Sequence, residues 1–108
     1  MNEKIEVKAS SGNIFSDLGL ENADELLVKA KLAHQITSII TQHDMTQAEA
    51  AIILGIDQPT VSALINGKLL GFSTERLFRF LNALGRDVEI RVKVKPPSRS
   101  QAETRVVT

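Results

Sequence analysis

The sequence predicts an all-α domain of four to five helices followed by one C-terminal β-strand. Three observations carry this expectation. Polar capping residues precede short apolar-striped runs, Gly or Asn-Gly follows them, and Asp87 to Lys95 alternates polar and apolar side chains over nine residues. Of the 108 residues 43% are hydrophobic but only 4% aromatic, so the core must be built mainly from Leu, Ile, Val and Ala. That suits packed helices and leaves little material for a broad sheet.

Taken in order, Lys4 to Lys8 alternates like a short strand, and Ser10-Ser11-Gly12-Asn13 reads as a loop. Residues 1–20 are therefore expected to form an N-terminal arm. Asn22 caps a long helix, with Glu25 three residues on as in a capping box, and the helix should run to about Gln42. Its Leu26, Leu27, Ala30, Ala33, Ile36, Ile39 and Ile40 recur at three- and four-residue spacing and form one stripe to be buried.

Thr46 caps a second helix with Glu49 as its partner, and Ala48, Ala51 and Ile52 are expected on its inner face before Gly55 ends it. Asp57 caps a third, in which Pro59 falls in the first turn, where a missing N–H breaks no intrahelical bond. There Val61, Leu64 and Ile65 should face inward, and Asn66-Gly67 closes the helix because both residues tolerate a left-handed backbone. Ser73 caps a fourth helix carrying Leu77, Phe78, Phe80, Leu81 and Leu84, and Gly85 stops it.

The alternating strand then ends at Pro96-Pro97. A strand needs a hydrogen-bonding partner, and three fit: Ile5 to Lys8, the same strand of a second copy, or a strand of another protein. Residues 86–95 are expected to be a dimer contact, since a strand with four β-branched residues on one face wants cover. The polar tail over residues 96–108 is expected to be disordered.

Two short helices joined by a tight turn are too small to be a core by themselves. Thr46 to Asn66 meets the demands of a helix-turn-helix: one helix to lie across the DNA backbone, a Gly-containing turn, and a second helix whose N-terminal end reaches the major groove. With Val61, Leu64 and Ile65 inward, Gln58, Thr60, Ser62 and Ala63 are left on the outer face. Gln can bond adenine at N6 and N7, Ser and Thr can bond bases or phosphates, and Ala can touch a thymine methyl.

The run T-Q-A-E-A-A-x-x-L-G-I-x-Q-P-T-V-S-x-L-x-N-G-K, from Thr46 to Lys68, resembles the Cro/C1-type (Xre) helix-turn-helix family. The flanks, Asn13 to Gly19, Gly71-Phe72-Ser73 and Leu84 to Ile90, resemble those of HigA-type antitoxins. The resemblance covers roughly Ile14 to Val92. It implies a lambda-repressor-like bundle over residues 21–85, a homodimeric repressor of its own operon bound to a double-stranded DNA operator, and a RelE-like toxin as partner.

Carried onto this chain, Gln47 matches the position that fixes the second helix on a phosphate and contacts Gln58. Gln58, Thr60 and Ser62 match base-proximal positions, and Asn66 and Lys68 match phosphate contacts. Where many relatives have Arg or Trp, this chain has Ala63 and Leu64, so strong guanine readout is not expected. Other readings of the same residues are a phage-type or metabolic repressor without a toxin, and a protein-interaction module that does not bind DNA.

Net charge is zero, with 13 Lys and Arg against 13 Asp and Glu. Residues 44–80 carry 3 cations against 4 anions, and residues 81–108 carry 6 against 3, so the basic excess is C-terminal. Lys68, Arg76 and Arg79, the cations within residues 44–80, are the candidates to neutralise phosphates, which predicts modest salt dependence per protomer and reliance on dimerisation.

There is no Cys, and His34 and His43 lie nine residues apart, so neither a metal set nor a thiol nucleophile is expected, nor any cofactor. No Ser sits in a nucleophile elbow. The expectation is a non-enzymatic cytoplasmic protein with no membrane segment.

Overall fold

A computed structural model describes residues 22–107. Among these are four helices: α1 (Ala23–Gln42), α2 (Gln47–Leu54), α3 (Gln58–Ile65) and α4 (Thr74–Ala83). The expected strand at Lys4 to Lys8 and the flank Asn13 to Gly19 lie outside the described residues. The described residues divide into two compact units, residues 29–93 and, as the other, residues 22–28 with 94–107.

Local chemistry accounts for the helix boundaries. Helix α1 starts with the Leu26 N–H donating to the Asn22 carbonyl at 3.0 Å. Its last carbonyls are closed by the N–H groups of Asp44, onto Thr41, and Met45, onto Ile40, with Asp44 in the left-handed region at φ 54°. At α2 the capping box is complete: the Glu49 N–H donates to Thr46 Oγ1 at 3.1 Å, and the Thr46 N–H donates to Glu49 Oε1 at 2.8 Å. Asp57 and Ser73 cap α3 and α4 by accepting from the N–H groups of Thr60 and Arg76.

Helix α3 closes in a Schellman motif, Lys68 N–H to Ala63 carbonyl and Gly67 N–H to Leu64 carbonyl. Only Gly67 takes the left-handed conformation, at φ 75°, while Asn66 stays at φ −86°. Both residues were expected to be candidates for that role; glycine takes it because it has no Cβ to clash with the following carbonyl.

The core of the 29–93 unit comprises Leu32, Ala33, Ile36, Ile39 and Ile40 of α1, Ala50, Ala51 and Leu54 of α2, Val61 and Leu64 of α3, and Phe72 with Leu77, Phe80, Leu81 and Leu84 around α4. The α1 stripe differs from the expected one. Leu26, Leu27 and Ala30 are half-buried, while Ala23, Val28, Lys29 and Leu32 are buried, so the covered face is rotated toward the latter set in the first half of the helix. Ile65 and Phe78 are also only half-buried.

A larger correction concerns α2. Ala48 is exposed and Ile52 is 82% exposed, whereas Ala50, Ala51 and Leu54 face inward. In Gln-Ala-Glu-Ala-Ala-Ile-Ile-Leu the apolar residues surround the helix, so spacing does not select a face. The turn and the packing of α2 on α3 and α4 make the selection.

The strand expected over Asp87 to Lys95 is not seen among the described residues: the stretch carries no regular element, and residues 87–93 make no backbone hydrogen bond to any other described residue. Alternation sets a strand's two faces, but only a neighbouring strand can satisfy its N–H and C=O groups.

The tail, expected to be disordered, forms no helix or strand but carries local ties. Arg99 donates its N–H to the Pro96 carbonyl and pairs with Glu103 at 3.3 Å, and the Thr104 N–H reaches Asp24 Oδ2 at 3.2 Å.

Candidate nucleic-acid interface

The helix pair expected to be a groove reader has the necessary geometry. The axes of α2 and α3 differ in direction by 103°, within the range of about 90–120° that sets one helix across the other in a helix-turn-helix. The turn is three residues, Gly55, Ile56 and Asp57. Gly55, at φ 70°, carries the chain out of α2, and the Ile56 N–H donates to the Ala51 carbonyl at 3.0 Å. Ile56 is half-buried at the corner.

Helix α3 is held by its inner face. Val61 is 0% and Leu64 1% exposed, so the helix cannot roll without opening the core. What remains outward is the N-terminal set: Gln58 is exposed, and Thr60, Ser62 and Ala63 are half-buried. Gln47 at the start of α2, and Asn66 and Lys68 past the end of α3, are exposed.

These residues do not present equal chemistry. Thr60 Oγ1 donates to Asp57 Oδ1 and the Thr60 N–H donates to the same oxygen at 2.8 Å, so the threonine hydroxyl has only acceptor capacity left. Ser62 Oγ accepts from Asn66 Nδ2 at 3.2 Å. Gln58 and Gln47 make no side-chain hydrogen bond to another described residue. The contact between them that the family resemblance implies is therefore not a hydrogen bond in the free chain.

The two Thr60 bonds, side chain first and backbone second, hold the Asp57 carboxyl below the ordinary carboxylate range, and Arg76 adds a smaller attraction. A group with a depressed folded pKa stabilises the fold at pH values above its unfolded pKa, and that contribution is lost as pH falls through the folded pKa. Asp57→Asn keeps a capping oxygen and removes the charge. Its stability deficit at neutral pH, followed by urea unfolding, is expected to shrink on acidification; a deficit of constant size would show that the charge contributes nothing.

Arg76 was expected only as one of three nearby cations. Its guanidinium carbon lies 5.1 Å from the Phe72 ring centroid and 5.4 Å from that of Phe80, two rings that meet edge to face at 6.1 Å. Cation–π attraction fixes this charge close to the capped start of α3. Arg76 and Phe80 lie one helical turn apart on α4, a spacing readable in the sequence, whereas Phe72 precedes the Ser73 cap and is brought to Arg76 by the chain's entry into the helix. Lys68 and Arg79 are exposed.

Among the described residues no three His, Asp or Glu side chains converge as a metal set, and no single helix is long and apolar enough to cross a membrane.

Comparison with known proteins agrees with this geometry. A family model described as a helix-turn-helix domain matches residues 14–93. A solved structure of a protein named for the XRE family of transcriptional regulators superposes with a TM-score of 0.77 at 49% identity, covering 81% of this chain and 98% of that one. The sequence matches no curated protein. With the match spanning both the reading helix pair and its scaffold, the chain belongs to the XRE-type helix-turn-helix family of DNA-binding transcription regulators.

Proposed function

We propose that the protein is a sequence-specific repressor that binds its operator as a homodimer, setting the start of α3 in the major groove and blocking the promoter by occupancy. The observation that supports this most is the division of α3 into a core face, Val61 and Leu64, and an outward N-terminal face led by Gln58. Gln58, Thr60, Ser62 and Ala63 are the proposed base-proximal residues; Gln47, Asn66 and Lys68 are the proposed phosphate contacts.

Charge argues for the dimer. Lys68, Arg76 and Arg79 are the only Lys or Arg side chains between residues 44 and 80, too few for one protomer to hold DNA firmly. Two copies double the contacts and read half-sites about 34 Å apart, one helical turn. The slope of log affinity against log salt is expected to be about −3 for one protomer and about −5 for a pair.

The test is footprinting on DNA from the gene's own upstream region, with affinity followed over a salt series. A two-fold protected site with the steeper slope supports the repressor. Absence of any protected site would point instead to an interaction module that keeps the helix-turn-helix shape.

The flanking similarity to HigA-type antitoxins supports a second role, neutralising a RelE-like toxin encoded beside it. Co-expression with that neighbour tests this role separately: recovery of a stable complex and relief of toxicity are expected. Failure of both would leave a repressor without a toxin.

A further inference from the structure

Residues 87–93 carry the largest unexplained chemistry in the described chain. Ile90 is 73% and Val92 91% exposed, although both are large and apolar, and the backbone of the stretch is unpaired with any described residue. Such an edge is a template for another strand. The charges alternating with the apolar side chains specify which strand fits.

In an antiparallel pair, directly opposed residues share a face. If two copies of this stretch met about an axis lying between two residues, each apolar side chain would oppose a charged one. The axis must therefore pass through a residue.

Through Glu89 it opposes Glu89 to itself, and through Arg91 it opposes Arg91 to itself. Through Val88 it sets Asp87 against Glu89; through Val92, Arg91 against Lys93; through Val94, Lys93 against Lys95. A parallel pair in register opposes every charge to its own copy. Only the axis through Ile90 places no like charges opposite each other. It pairs Asp87 with Lys93 and Glu89 with Arg91, each twice, on one face, and Val88 with Val92 around a central Ile90 pair on the other.

We propose that this stretch is a self-complementary interface, in which a second copy of the chain adds an antiparallel strand with the two-fold axis at Ile90. The expected strand is then a property of the dimer, which explains why no described residue of the single chain pairs with it. The inference rests on the dimeric reading above and adds the surface and register.

The chain has no native Cys, so one introduced cysteine reports the register. Opposed Cα atoms in an antiparallel pair lie about 4.5 to 5.5 Å apart, inside the span a disulfide bridges. Ile90→Cys should therefore cross-link to its own copy under mild oxidation. In the same register the two copies of residue 92 are offset by four residues, about 13 Å, and Val92→Cys should not cross-link.

A charge swap provides a second measurement. Glu89→Arg places like charges opposite each other at two sites and should weaken association about tenfold in sedimentation, whereas Glu89→Arg with Arg91→Glu should restore it.

Cross-linking at Ile90 alone, with rescue by the double swap, is the expected result. A dimer in which Val92→Cys cross-links, or neither cysteine does, overturns the proposed register or surface while the dimeric reading stands. A protein that sediments as a monomer at all concentrations overturns both.

Discussion

Replacing Leu64 by alanine is expected to destabilise the protein by about 2 to 5 kcal/mol. Leu64 is 1% exposed and lies on the inner side of α3 beside Val61, itself fully buried. The substitution removes buried methyl groups and leaves a space that the short helix, tied at both ends by the Asp57 cap and the Schellman turn, cannot collapse to fill. In a domain of this size about 1 kcal/mol shifts the melting temperature by roughly 4 to 8 °C. A fall of about 10 °C or more is therefore expected in thermal unfolding. A loss below about 1 kcal/mol would show that α3 is not held by this face.

Gln58→Ala is expected to do the opposite: weaken operator binding by about 1 to 3 kcal/mol and leave the fold nearly untouched. The side chain is exposed at the first position of α3 and makes no hydrogen bond to any other described residue, so its removal empties no core and orphans no partner. The measurement is a titration of the identified operator beside an unrelated duplex. Specific affinity should fall toward the unspecific value, with an unchanged salt slope, because no cation is lost. Equal binding by variant and parent would remove Gln58 from the reader.

Thr60→Ala is a poorer probe. Its hydroxyl serves the Asp57 cap, and the variant would mix a change in helix stability with any change in contact to DNA.

Most helix boundaries were legible because caps act over three or four residues. Thr46 with Glu49, Asp57 with Thr60, and Gly67 after α3 are local arrangements, and local hydrogen bonding decides them with little help from the rest of the chain. The outward set on α3 was legible for a related reason. Val61 and Leu64 alternate with polar residues, so the helical period assigns the faces.

The inner face of α2 was not legible, since Ile52 and Leu54 are equally apolar and only contact with α3 and α4 separates them into exposed and buried. Nor was the division of labour among the polar residues of α3. Thr60 and Ser62 read alike in sequence, yet one donates to a capping carboxylate and the other accepts from an asparagine.

The sequence by itself determined the helix boundaries and the polar chemistry left on the outer face of α3, because those depend on backbone donors, acceptors and side-chain period over short spans. Tertiary structure decided the 103° turn between α2 and α3, the fixing of Arg76 on two rings and which apolar faces are covered. Each of these depends on surfaces meeting in space. The 87–93 stretch, unpaired with any described residue, carries that distinction one level further: its alternation is written in the chain, but a strand exists only where a second backbone completes its hydrogen bonds.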